Sequence, residues 1–210
     1  MDYVEKKPVT IAITGASGSR YALGLLQELL RIDVPVYLLL SSASITVMDM
    51  EAQLTLPTKG DNLEALQKEA LLRHLGLNNA PLTVFSSQDW FSPIASGTAQ
   101  NGPMVVCPCS MGMLSAIAVG ASNNLMERGV DVCLKEKRKL IVVPREAPFS
   151  TIHLENMLKL SQLGALILPA NPGFYQGADS IEDVFNFIVA RIMQHLNYPY
   201  EHLLKPWGSK

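Results

Sequence analysis

The chain has 210 residues, 48% of them hydrophobic and 17% charged, with 17 Lys+Arg against 19 Asp+Glu and a formal net charge of −2. That is enough apolar material for one domain with a sizeable core, and too little charge for a disordered chain. The balanced charge excludes the global basic field of a sequence-independent nucleic-acid binder. No apolar run approaches the ~18–20 residues of a membrane span.

The opening residues, Met1-Asp2-Tyr3-Val4-Glu5-Lys6-Lys7, lack the apolar stretch of a signal peptide, so a cytoplasmic location is expected. Cys107, Cys109 and Cys133 argue against a disulfide framework, and Cys107-Pro108-Cys109 is a CxC rather than the CxxC of redox or zinc sites. His74, His153, His195 and His202 are scattered and none has HExxH spacing, so no metal site is expected.

Apolar β-type runs alternate with helical patterns, as in a parallel sheet wrapped by helices. Val9–Thr14 reads as the first strand and Arg20–Arg31 as a helix, with Tyr21, Leu25, Leu26, Leu29 and Leu30 near helical spacing. Val36–Leu40 is a strand, and Ser42–Leu54 a helix capped by Ser42 or Ser44. Asn62–Leu75 is a clearer helix ending near Gly76, and Leu82–Phe85 a short strand near an edge. Asp89–Gly102 is mostly loop. Met104–Cys107 reads as a buried strand stopped by Pro108. Met111–Val119 and Asn124–Lys137 are helices, Leu140–Val143 a strand ended by Pro144, and Thr151–Leu163 a helix. Ala165–Leu168 is a strand ended by Pro169, and Ser180–Leu196 the last long helix. A Pro- and aromatic-rich tail follows from about Asn197, within a single domain spanning residues 1–210.

In such sheets ligands bind beyond the carboxyl ends of the strands, where strand order reverses. The segments there are Gly15-Ala16-Ser17-Gly18, Pro108-Cys109-Ser110, Pro144-Arg145-Glu146 and Pro169 to Tyr175, which such a sheet would bring to one crevice. The first is a small-residue turn that lets a backbone approach a phosphate or flavin ring, or is simply a tight turn. It matches neither GxGxxG nor GxxxxGK[ST]. Ser110-Met111-Gly112-Met113 opens a helix and suits a phosphate, or is an ordinary N-cap. Arg128 and Lys135 share a helix face, read either as a phosphate-facing stripe or as a solvated face with an Asp131–Lys135 pair. Arg145-Glu146, stiffened by Pro144 and Pro148, could bind an anion and move a proton, or form a structural ion pair. Arg191 sits on an otherwise apolar stretch and must snorkel or find an anion.

Together these segments resemble the UbiX-type flavin prenyltransferases, within the wider family of homo-oligomeric flavin-containing decarboxylase-like proteins. The matching stretches are Thr14-Gly15-Ala16-Ser17-Gly18, Cys107-Pro108-Cys109-Ser110, Asn123-Asn124-Leu125, Asp131-Val132-Cys133-Leu134-Lys135-Glu136, Val143-Pro144-Arg145-Glu146-Ala147-Pro148, His153-Leu154-Glu155-Asn156-Met157 and Pro172-Gly173-Phe174-Tyr175. The likeness runs from about Val9 to Trp207.

The resemblance implies a Rossmann-like α/β three-layer sandwich with a mostly parallel sheet, binding FMN. It implies that reduced FMN is alkylated by dimethylallyl phosphate at N5 and then C6, giving prenylated FMN for a UbiD-type decarboxylase, as in ubiquinone synthesis. It also implies a homo-oligomer, by family precedent a dodecamer with sites at subunit contacts. By the same resemblance Gly15, Ala16 and Ser17 form the first flavin loop, with Ser17 near N5. Ser41, Ser110, Met111, Gly112, Met113 and Arg145 make further flavin contacts. Tyr175, Arg191, Arg128, Lys135 and Trp207 surround dimethylallyl phosphate. Glu146 is the proton-transfer group, and Glu51 another acid of the site. Many members carry Lys or Gly and then Thr where Gly112-Met113 stand, and an arginine where Pro206 stands.

The chain has no adjacent aspartates, so a metal-held diphosphate is disfavoured and direct binding of a monophosphate by cationic side chains is expected, with no metal. Two other readings are a cysteine-decarboxylase relative and a non-catalytic FMN carrier. The first usually carries a PxMNxxMW segment, where this chain reads Ala121-Ser122-Asn123-Asn124-Leu125-Met126. The second has no need of Arg191, Tyr175, Lys135 and Glu146 together.

Overall fold

The computed structural model describes residues 6–174 and 177–204. The strands are β1 (Val9–Ile13), β2 (Val36–Leu40), β3 (Leu82–Phe85), β4 (Met104–Cys109), β5 (Leu140–Pro144) and β6 (Leu166–Ile167). The helices are α1 (Ser19–Arg31), α2 (Ser42–Ala52), α3 (Leu63–His74), α4 (Met111–Ala118), α5 (Leu125–Lys135), α6 (Thr151–Gln162) and α7 (Ile181–Leu196). All the strand pairs are parallel, in the order β3-β2-β1-β4-β5-β6. The order reverses between β1 and β4, the position at which doubly wound sheets bind ligands.

Strand alternation divides the core. Val9, Ile11 and Ile13 point into a cluster with residues of α1, α2, α3 and α7, while Ala12, Val106 and Val142 point into a second cluster with α4, α5 and α6. The sheet is therefore covered on both faces, which explains why its strands read as continuous apolar runs. Among the described residues no helix is long and apolar enough to cross a membrane.

The structure moves some expected element ends by at most two residues, and three shifts have a physical cause. β4 does not stop at Pro108. Proline lacks a donor, yet its carbonyl accepts from the Thr14 main-chain N–H at 3.3 Å and from Thr14 Oγ1 at 2.7 Å, so the strand continues to Cys109 with a register slip against β5. The cap of α2 is neither Ser42 nor Ser44 but Ser41, whose side chain accepts from Ser44 N. The same helix ends at Ala52 because Gln53 turns left-handed, at φ 53°. The loop from Asp89 to Gly102 contains a short 3₁₀ turn, Pro93–Ala95.

Candidate active site

The strand ends after β1, β2, β4 and β5 meet at the reversal point, as the sheet required. Thr14, buried at the end of β1, donates its hydroxyl to Pro108 O and accepts from Ser110 N at 2.8 Å. Ser41 N bonds to Ile13 O at 3.1 Å, which sets the start of α2 beside the same turn. Arg145 N bonds to Cys109 O, and its Nε–H donates to Ser17 O at 3.1 Å. Ala170 N bonds to Pro144 O, bringing the segment after β6 alongside.

Gly15 is required by packing. A Cβ there would stand 2.4 Å from Ala43 Cβ in the first turn of α2. Gly18 takes φ 106°, a left-handed conformation that side chains resist, and caps α1 with no side chain of its own. Glu51 supplies what is missing. From α2 its carboxylate accepts from Gly18 N at 2.9 Å, Ser19 N at 2.9 Å and Ser19 Oγ at 2.9 Å. An anion at a helix N-terminus also meets the favourable end of the dipole. Burial pushes the Glu51 carboxyl up, but hydrogen bonds from Ser17, Gly18 and Ser19 outweigh it and hold the group below its ordinary range. Glu51 thus reaches the site by fastening the turn.

Ser110 caps α4 by accepting from Met113 N at 3.3 Å. The N–H groups of Met111 and Gly112, in the first turn, have no intrahelical acceptor and suit an anion. Gly112 is exposed, and a Cβ there would meet nothing within 4 Å. A small-residue turn, two helix starts (α2 and α4) and one guanidinium fit the flat ring and single phosphate of FMN.

Glu146 follows Arg145 at this edge and is exposed, its Oε1 accepting from Ala147 N at 3.0 Å. The Arg145–Glu146 ion pair does not form among the described residues, because Arg145 turns to the Ser17 carbonyl. The Asp131–Lys135 pair is also replaced. Asp131 pairs with Arg128 at 2.6 Å, and Lys135 with its neighbour Glu136.

The basic residues stand on different elements. Arg145 lies where β5 finishes. Arg128 Nε donates to Ala95 O, one turn into α5, whose first N–H, that of Leu125, bonds to Ser87 O just beyond β3. Lys135 is a further two turns along α5 in the same direction. Arg191 sits one turn before His195, whose carbonyl accepts from Lys139 Nζ immediately ahead of β5. Among the described residues the side-chain partners of Arg128, Lys135, Arg145 and Arg191 are all different, so no shared contact joins the four. Tyr175 and Trp207 lie outside the described residues.

Sequence reasoning passed over Thr14 and Ala43. Thr14 offered a signal, since a threonine ending an apolar strand is a polar group about to be buried and in need of partners. Ala43 offered none, because its role depends on how closely α2 approaches β1. The cysteines are all free and buried, with Cys133 pushed up to about 11 mainly by burial, so none is a ready thiolate.

A profile of the Flavoprotein family matches residues 2–193. A protein named flavin prenyltransferase UbiX from Pseudomonas aeruginosa is 50% identical over 202 residues, covering 96% of this chain and 94% of its own. Another of that name, from Alkalihalophilus pseudofirmus, is 44% identical over 205 residues, covering 97% and 98%. Among solved structures, AnUbiX (PadA1) in complex with FMN and dimethylallyl pyrophosphate superposes with TM-score 0.83 at 30% identity, covering 98% of this chain and all of the other. A dodecameric FMN-dependent UbiX-like decarboxylase from Escherichia coli O157:H7 gives 0.78 at 32% identity, covering 97% of this chain and 100% of the other. A cysteine decarboxylase of thioviridamide biosynthesis, at 15% identity and TM-score 0.59, shares the fold alone.

Proposed function

The chain belongs to the UbiX-type flavin prenyltransferases within the flavoprotein family, and from that membership we propose that it transfers the dimethylallyl group of dimethylallyl phosphate to reduced FMN. The observation that carries this reading is the junction of the Gly15–Ser17 turn, the Ser110 helix start and Arg145 at the β1/β4 reversal, fastened by the Arg145–Ser17 hydrogen bond.

Reduced FMN, when bound, supplies the electron-rich N5 and C6 positions that take the five-carbon unit. Gly15 and Ala16 would leave room for the ring edge, and Ser17, whose side chain bonds to Glu51, would stand near N5. Ser41 and the first turn of α4, from Ser110 to Met113, hold the cofactor's polar groups. The Arg145 guanidinium spends one donor on the Ser17 carbonyl and leaves the others for the cofactor's anionic group. As the substrate's C–O bond breaks, its electron pair leaves on phosphate oxygen. Arg191, Arg128, Lys135 and Tyr175 stabilise that growing charge without a metal, Trp207 helps to exclude water, and Glu146 gives a proton to the phosphate and takes one from C6. Glu51 sets the position of Ser17 through the turn it fastens.

Arg128, Lys135 and Arg191 share no partner with Arg145 among the described residues, and in this reading they come from neighbouring copies in a homo-oligomer. The dodecamer formed by the Escherichia coli relative supports it. The product, prenylated FMN, serves a UbiD-type decarboxylase in the cytoplasm. The whole chain forms the transferase domain.

The test is anaerobic incubation with reduced FMN and dimethylallyl phosphate in the presence of EDTA, then mass spectrometry of the released flavin. The expected flavin is heavier by one C5 unit. Unchanged flavin overturns the transferase reading, and addition only after magnesium is restored overturns metal independence.

A further inference from the structure

Helix α7 buries Ile188, Val189, Ala190, Ile192 and Met193 and leaves Arg191 half-buried among them. Arg191 Nη1 donates to Gln194 Oε1, and Nη2 stands 3.4 Å from His195 Nε2. Gln194 Nε2 in turn donates to the Tyr200 hydroxyl oxygen at 3.1 Å. The amide can face only one way here, since a guanidinium carries five donors and no acceptor. Oε1 must meet Arg191, and the amide nitrogen must meet Tyr200.

These partners hold the guanidinium without cancelling it. Arg20, Arg31, Arg73 and Arg128 each pair with a carboxylate, whereas among the described residues none pairs with Arg191. Burial, Arg191 and Lys139 together press the His195 imidazole below its ordinary range, so it too remains neutral. Tyr200 packs on the apolar cluster under α1 and α7, and His202, two residues on, lies 2.6 Å from the buried carboxylate of Glu28. The segment after α7 is thereby fixed at both its aromatic and its imidazole contacts.

We propose that Gln194, oriented by Tyr200, is a positioning residue that fixes the Arg191 guanidinium for its anion. This rests on the reading of Arg191 as a ligand of the substrate phosphate. A flexible arginine loses rotamer freedom when it binds, and an arginine already held by a neutral amide has given it up beforehand.

Gln194→Ala and Tyr200→Phe test it in the full-length oligomer. Each is expected to lower kcat/KM for dimethylallyl phosphate about fivefold, the scale of one lost hydrogen bond, with FMN affinity unchanged. An unchanged kcat/KM in Tyr200→Phe and Gln194→Ala overturns the proposal. So does a parallel loss of FMN affinity, which would mark a merely structural role. Tyr200→Phe keeps the ring's packing and carries the test if Gln194→Ala does not fold. A wild-type protein that leaves flavin unalkylated defeats the transferase reading instead. Calorimetric titration with inorganic phosphate then decides: weaker binding by both variants than by wild type supports positioning, and equal binding overturns it.

Discussion

Arg145 reaches the main-chain oxygen of Ser17 at 3.1 Å across 128 residues of sequence. The bond joins the turn after β1 to the end of β5, so a disturbance of either should be felt at the other. It also leaves Glu146 unpaired with Arg145, its carboxylate accepting from the Ala147 main chain instead.

Glu146→Gln keeps the shape and removes the titrating group. FMN affinity should be unchanged while turnover falls about a hundredfold or more, the usual scale for a lost acid–base group. Fluorescence titration of FMN and single-turnover mass spectrometry give the two readings. Normal turnover would remove Glu146 from the chemistry.

Gly15→Ala places a methyl 2.4 Å from Ala43 Cβ, a distance no packed pair adopts. Overpacking of this kind costs about 1–3 kcal/mol, and the displaced turn should weaken FMN binding as well. The double variant Gly15→Ala with Ala43→Gly should recover most of both losses. Thermal melts with and without FMN measure it.

Glu51→Gln should destabilise the fold by about 1–2 kcal/mol at neutral pH through the weakened acceptor at the α1 N-terminus. The folded carboxyl sits below its ordinary range, so its contribution is complete above the unfolded value and fades as pH falls through the folded one. The gap between wild type and variant should therefore close in acid. Urea melts across that range would expose a constant gap, which contradicts the clamp.

His195 has the same sign for a different reason. Its imidazole is held below the ordinary value, first by burial and then by Arg191 and Lys139. The unfolded chain takes up the proton first as pH drops below about 6.5, so stability declines over the window down to the folded value. His195→Gln, neutral throughout, should flatten that part of the melting-temperature profile.

The sheet and its ligand-binding edge were legible because apolar runs and strand-end turns are local signals. Ser110 was readable as a cap for the same reason. What was not legible depended on approach between distant segments. Nothing in the sequence around Asp131 says that it turns back to Arg128 rather than on to Lys135. Nothing near Glu146 says that Arg145 prefers a carbonyl of the first turn. Pro108 misled, since a missing donor suggested a strand end while its carbonyl was being used by Thr14. Glu51 was legible as a site residue only through the family likeness, because its task lies in the main chain of α1.

The sheet's two outer strands are short, four residues in β3 and two in β6. Little unpaired backbone is left to recruit a foreign strand, which guards against runaway fibre-like stacking. Any contact between copies of this chain would then run through side chains on helices and loops, where shape and charge set the fit.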